Sequence, residues 1–308
     1  MSKMRKLITL LLALTMVFAC AVPSFATVAA NQPVSGGMSK YVQGSDSTYY
    51  VSGTFTVHLN IYSGQDSGYG TINSTYDVAM GSSDAVDELY TVEDVLDAAA
   101  ASNNNLTFSI SSNTYHQSWL QGIKDSNVGY NHLFEAKSLK YNSTTYYCGW
   151  KFRINGMLPY YTPSSGTAEG CLISNAYVTP GDTVDLYFAN VYNQTIATKV
   201  RKVVYVTPEN ESPYLQLLEA ECYVPSGQTD WTLTNWAPVA SQNVSIKVDG
   251  VNQTVATDNN GAFTCSVSSG THTFRFNTTT LQYSYKVGTK TYYYQVPAIV
   301  GMYSKITF

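Results

Sequence analysis

Histidine is scarce in this 308-residue chain. His58, His116, His132 and His272 are the only four, and no two stand at H-x-x-x-H or H-E-x-x-H spacing. A zinc-type ligand set would need assembly from distant loops, which excludes the metalloenzymes recognised by a local motif. No G-x-S-x-G occurs, so a serine nucleophile has no signature here. No cysteine pair has C-x-x-C spacing, which argues against zinc ribbons and dithiol redox catalysis. Charge is sparse as well: 17 basic and 21 acidic residues give a net charge of −4. Nucleic-acid binding needs clustered Lys and Arg, and the balance here runs the other way. Beyond the N-terminal region no apolar run is long enough to cross a bilayer as a helix. Paired carboxylates for glycoside hydrolysis stay open in principle, since distant acids can meet. No local pattern singles out Asp185, Glu169 or Glu135. The expectation is a protein that is not an enzyme and requires no cofactor or metal.

What the chain has in abundance is uncharged polar surface and tyrosine, 26 residues of it. Tyrosine suits positions where one ring face is buried and the hydroxyl stays wet. The N-terminus reads as an export signal: Lys3, Arg5 and Lys6, then a nearly continuous apolar run over 7–22, then Ser24-Phe25-Ala26 as a cleavage site. A rival reading of Val17-Phe18-Ala19-Cys20 makes Cys20 a lipid anchor. Loss of 1–26 takes three basic residues and no acidic one, moving the net charge to −7. The expected location is extracellular or at the cell surface, with no membrane span.

Residues 27–52 are rich in Ser, Gly and Gln and read as a tether. Residues 53–206 read as one domain, 207–213 as a polar linker with two prolines, and 214–308 as a second domain. In the first, Phe55, Val57, Leu59 and Ile61 alternate with polar residues as a half-buried strand, and 71–80 is expected to return beside it. The period then changes. Thr91 offers a cap, acids follow, and Val92, Val95, Leu96 and Ala99 trace one helical face. Leu106–Ile110 and Thr183–Val191 read as strands, Lys199–Val206 as an edge strand, and 124–145 as loop. The second domain has short strands with turns every eight to twelve residues, the pattern of a sandwich. Val255 to Cys265 reads as two strands about an Asn-Gly turn, and Asp258-Asn259-Asn260-Gly261 lacks the later bidentate Glu of a calcium loop.

The two halves hold two late cysteines each, which favours the pairings Cys148–Cys171 and Cys222–Cys265 in an exported chain. Buried free thiols are the alternative. Aromatics concentrate in Tyr146-Tyr147-Cys148-Gly149-Trp150-Lys151-Phe152-Arg153-Ile154-Asn155-Gly156. Trp150 and Phe152 share one face of a strand, with Tyr147, Lys151 and Arg153 on the other. The first pair is either core or ligand-contacting. Tyr160 and Tyr161, in a loop beyond the turn, are candidates to meet a ligand. Tyr292-Tyr293-Tyr294 reads as a strand with alternate rings packed inward.

The order of hairpin, helix and further strands is that of a β-grasp domain. Thr91 to Ala100, Trp119 to Ile123, Trp150 to Gly156 and Tyr177 to Phe188, with its Pro180-Gly181-Asp182 turn, together resemble the transcobalamin-like C-terminal domain of exported bacterial proteins. The resemblance covers residues 53–206. It implies a mainly β (α+β) fold, a β-grasp domain with one packed helix followed by a small β-sandwich. It also implies a noncatalytic module that covers one face of a corrinoid such as cobalamin, with Trp150, Phe152, Tyr160, Tyr161 and Tyr177 as ligand-contacting candidates. The α-helical barrel that completes such sites in the animal proteins has no counterpart in this sequence. Residues 214–308 resemble carboxypeptidase-regulatory-like (prealbumin-like) modules through Thr257 to Gly261 and Gly270-Thr271-His272. The alternative function is a surface adhesin or glycan-binding protein whose sandwich is a spacer.

Overall fold

The computed structural model describes residues 50–66, 68–114, 117–156, 158–161, 169–190, 196–222 and 236–308. The side chains of Tyr160, Tyr161 and Glu169 lie outside that description. So do the export signal, the Cys20 anchor, most of the tether, and His116. The chain is mainly β: twenty-two strands, one α-helix and one short 3₁₀ turn among the described residues. None of the described helices is long and apolar enough to cross a membrane.

Local sequence explains the first elements. Phe55–Asp66 buries Val57, Leu59 and Ile61 completely and pairs antiparallel with Gly70–Met80. The helix Val92–Ser102 opens on a capping box: the Asp94 amide donates to Thr91 Oγ1, and the Thr91 amide donates to the Asp94 carboxylate at 2.7 Å. Its stripe of Val92, Val95, Leu96 and Ala99 is buried as the spacing requires. A three-stranded meander, Leu106–Ser112, Ser118–Asp125 and Tyr130–Glu135, follows.

The expected loop over 124–145 is instead largely strand. Lys137–Tyr141 and Thr144–Ile154 form a hairpin whose turn residues, Asn142 and Ser143, both have positive φ. That is the geometry of a two-residue primed turn, here without the Asn-Gly pair that usually announces it. Thr183–Asn190 lies between Thr144–Ile154 and Phe55–Asp66, antiparallel to the first and parallel to the second.

The motifs that carry the sequence resemblance are joined physically. Asn155, with φ 52°, heads the turn after Thr144–Ile154 and donates through Nδ2 to the Asp182 carboxylate at 2.6 Å. Its own Oδ1 accepts the Thr183 amide at 2.9 Å. Asp182 also accepts the Thr179 amide, and Gly181 donates to the Thr56 carbonyl. The Asn-Gly and Pro-Gly-Asp turns therefore lock three strand ends together.

The structure departs from the two-domain expectation at 207–213. That segment joins Lys199–Val206 to Tyr214–Glu221, and the two pair antiparallel over all eight residues. Lys199–Val206 is no edge strand, because it also pairs in parallel with Lys290–Gly301. The strands Thr279–Val287 and Lys290–Gly301 enter the same eleven-stranded sheet as the first half. The sheet closes on itself where Gln65 pairs with Gln295. Gly64 permits that closure: a Cβ there would fall 1.5 Å from the Gln295 carbonyl oxygen. The tether also ends sooner than expected, since Val51 is buried and bridges to Glu88.

The sandwich forms, with strands from both expected domains. A four-stranded sheet of Val251–Ala256, Asn243–Val248, Thr271–Phe276 and Tyr303–Thr307 packs on Lys199–Val206 and Tyr214–Glu221. Ile246, Phe274 and Phe276 meet Val203, Leu215 and Leu217 between the layers. The two strands expected around Asn260-Gly261 belong to different sheets: Val251–Ala256 to the small one, Ala262–Phe263 to the large one. Asp258 organises that turn by accepting the Asn260 and Ala262 amides.

Candidate functional site

The sequence candidates divide. Trp150 is core: it is 7% exposed, packs edge-on against Phe134 and Phe188, and donates its indole N–H to the Phe134 carbonyl at 2.8 Å. Phe152 is half-buried against the same cluster, and Tyr177 is buried. These three do not converge on a common opening. Tyr160 and Tyr161 form a short strand with 169–170, and their side chains fall outside the described residues.

The four late cysteines stand as free thiols, so neither expected pairing is formed. Cys222 lies in the cluster around Tyr187 and Val300, whereas Cys265 packs at the sandwich core, and the fold separates them. Cys148 and Cys171 are each buried in the large core. Burial pushes the Cys148 and Cys222 thiols up to about 12, which suppresses the thiolate.

The opposite face of the Thr144–Ile154 strand is the informative one. At its inner end it carries a buried charge cluster. Arg153 is fully buried and pairs in register with Asp185, itself 2% exposed. Asn60 donates to Asp185 at 2.9 Å and the Tyr62 hydroxyl donates at 3.4 Å. Arg153 reaches the Gly156 carbonyl at 2.9 Å and the Glu221 carbonyl. Lys202 lies 4.3 Å from the centre of the Trp236 ring. Burial lifts the Asp185 carboxyl to about 7, against opposing hydrogen bonds from Asn60 and Tyr62 and the nearby Arg153 and Arg275 charges. Burial, then the Arg153 charge, lowers Lys202 to about 7. Perturbed groups of this kind often mark functional sites. Here Asp185, Arg153 and Lys202 are all buried under the second half of the chain, so they join the halves rather than face an opening.

Beside that cluster lies a cleft of about 270 Å³ lined by Tyr62, Gln65, Asn73, Arg275, Thr280 and Gln295, among others. The Arg275 guanidinium rests 4.4 Å from the centre of the Tyr62 ring and forms one long hydrogen bond, 3.4 Å, to the Gly301 carbonyl. No family model, curated protein or solved structure matches the chain. The site is therefore read from its own chemistry.

Strand register extends the cleft into an open face. Gln282 pairs with Gln295, Ser284 with both Tyr293 and Lys140, and Lys286 with Thr291. Directly paired side chains project from the same side of a sheet, so these residues share one surface. Tyr283, Tyr294 and Leu139 project the other way, into the core. Ser138 pairs with Tyr147 on the outer surface. A second hollow of about 360 Å³ opens between Lys140, Asn142, Ser284, Lys286 and Thr291. Two tyrosines stand out on this face: Tyr147 at 40% and Tyr293 at 52% exposure. Gly149 sets the pose of the first, since a Cβ there would lie 3.2 Å from Cε1 of the Tyr147 ring. The ring therefore lies along the strand over the glycine, with its other side open. Period two already separated Tyr147 from Trp150 in sequence. Which of the two faced outward was decided by strands far away in the chain.

Proposed function

We propose that this chain is an exported, noncatalytic carbohydrate-binding protein of the cell surface, built on a mainly β scaffold. The observation that carries the reading is the flat, exposed Tyr147 ring beside a sheet face of amides and hydroxyls. Sugars present an apolar C–H face that packs on an aromatic ring, and a hydroxyl rim that needs donors and acceptors in the same plane. Tyr147 and Tyr293 offer the rings; Gln282, Gln295, Ser284 and Thr291 offer the polar groups. Tyrosine suits this task because it is rigid and amphipathic. The test is a glycan array read with the wild-type protein and with Tyr147→Ala and Tyr293→Ala. Each substitution is expected to weaken binding by about 2 kcal/mol, roughly 30-fold, the scale of an interface hot spot. Blank arrays, or binding unchanged in both variants, would remove the proposal.

The corrinoid reading rests on one observation, the arrangement of hairpin, packed helix and a later strand, Thr183–Asn190, placed parallel beside the first. That arrangement supports a β-grasp, transcobalamin-like scaffold over residues 53–206. Titration with cobalamin and cobinamide separates the two readings: a visible-spectrum change at micromolar ligand favours the corrinoid, and none favours the carbohydrate.

A further inference from the structure

The four strands that build the open face contain no acidic residue. Lys137–Tyr141, Thr144–Ile154, Thr279–Val287 and Lys290–Gly301 carry Lys137, Lys140, Lys151, Arg153, Lys286 and Lys290, and neither Asp nor Glu. The chain as a whole is net negative at −4, so this segregation runs against its composition. Not all six cations reach the surface. Lys137 turns inward onto the Tyr294 ring, and Arg153 is buried with Asp185. Lys140 and Lys286 do reach it, flanking the hollow beside Ser284. Arg275 supplies a third positive group at the far end, in the cleft with Gln295. Lys140 and Lys286 make no ion pair among the described residues. From Thr280 to Lys286 the face runs about 20 Å, and Tyr147 stands three strand spacings, about 14 Å, across from Tyr293 and about 7 Å further along the strands.

We infer that the ligand of this face is an acidic polysaccharide, a chain of sugars bearing carboxylate or sulfate groups. The inference rests on the carbohydrate-binding reading and adds the charge of the ligand. An open surface with two rings and two lysines level with one another at one end and a guanidinium at the other matches a polymer whose anionic groups recur along its length. A protein partner fits less well. Stable protein interfaces centre on buried apolar anchors, and the outward positions paired from Gln282 to Lys286 are Gln, Ser, Thr, Lys and Tyr, with no aliphatic side chain. Surface cations chiefly raise association rate and salt sensitivity, so binding should weaken as salt screens the face.

The experiment is affinity electrophoresis of the full-length protein and of the double variant Lys140→Ala/Lys286→Ala. Gels contain polygalacturonate, hyaluronate, dextran, polyglutamate or single-stranded oligothymidine, at low and at 0.5 M salt. Circular dichroism confirms that the variant is folded. Retardation is expected with polygalacturonate or hyaluronate, and a loss of at least tenfold in affinity is expected in the variant and in high salt. Equal retardation by dextran would overturn the acidic assignment while leaving carbohydrate binding in place. Equal retardation by polyglutamate or oligothymidine would overturn both, because charge alone would then suffice. No retardation by any polymer would also overturn both.

Discussion

At the scale of single residues, Asp185 and Tyr147 show how one sheet face serves two ends. Asp185 sits where the face is covered. Its folded pKa, about 7, lies above its ordinary 3.8 because burial outweighs the Asn60 and Tyr62 hydrogen bonds and the Arg153 and Arg275 charges. Between those values the folded state holds a proton that the unfolded state has lost. This group therefore stabilises most below about pH 4, and its contribution falls as pH rises through 7. Lys202 has the opposite sign of shift: its folded value, about 7, lies below 10.5, so its contribution grows from pH 7 upward. Together they place a dip in stability near neutral pH. Thermal melts of wild type and Asp185→Asn across pH 4–7 check this. The wild type is expected to lose Tm relative to the variant as pH rises, and parallel curves would show that Asp185 is not the titrating group. Within 146–156 period two separates the side of Tyr147, Lys151 and Arg153 from that of Trp150 and Phe152. It could not say that the Tyr147 side was buried at Arg153 and open at Tyr147, because the covering residues, Lys202 and Trp236, are distant in the chain.

At the scale of elements, what was legible was what is local. The Phe55–Asp66 alternation, the Thr91 cap and the helical stripe each declare themselves within a dozen residues. The Pro180-Gly181-Asp182 turn did so too, although its work is to bind the Asn155 turn and hold strand ends together. What was hidden was the closure of the sheet. Gly64 is the point where Lys290–Gly301 approaches the first strand, and nothing local in the sequence marks it. Gly64→Val would drive a side chain into the Gln295 carbonyl, forcing backbone movement. Equilibrium urea unfolding is expected to show a loss above about 4 kcal/mol, in the range reserved for severe steric lesions. A loss under about 1 kcal/mol would mean that the strands do not meet there.

At the scale of the molecule, the expected linker at 207–213 is a turn within one sheet. Composition marked it correctly as polar and proline-containing, and that description fits a hairpin connection as well as a hinge. The distinction depends on long-range pairing, which local pattern does not carry. Tyr283, Tyr294 and Val296 complete the core of the first half, so the halves are expected to depend on each other. Residues 50–206 expressed alone should lack a cooperative thermal transition, whereas a sharp melt would show that the first half folds unaided.

The Tyr147–Tyr293 face is proposed to meet carbohydrate. Hydroxyl-radical footprinting with mass spectrometry tests it residue by residue, with and without saturating polygalacturonate. Protection is expected at Tyr147, Tyr293 and Lys286, while exposed rings elsewhere, such as Tyr69 and Trp119, keep their labelling. Unchanged labelling of Tyr147 and Tyr293 under conditions where the polymer is bound would show that carbohydrate binds elsewhere on the protein.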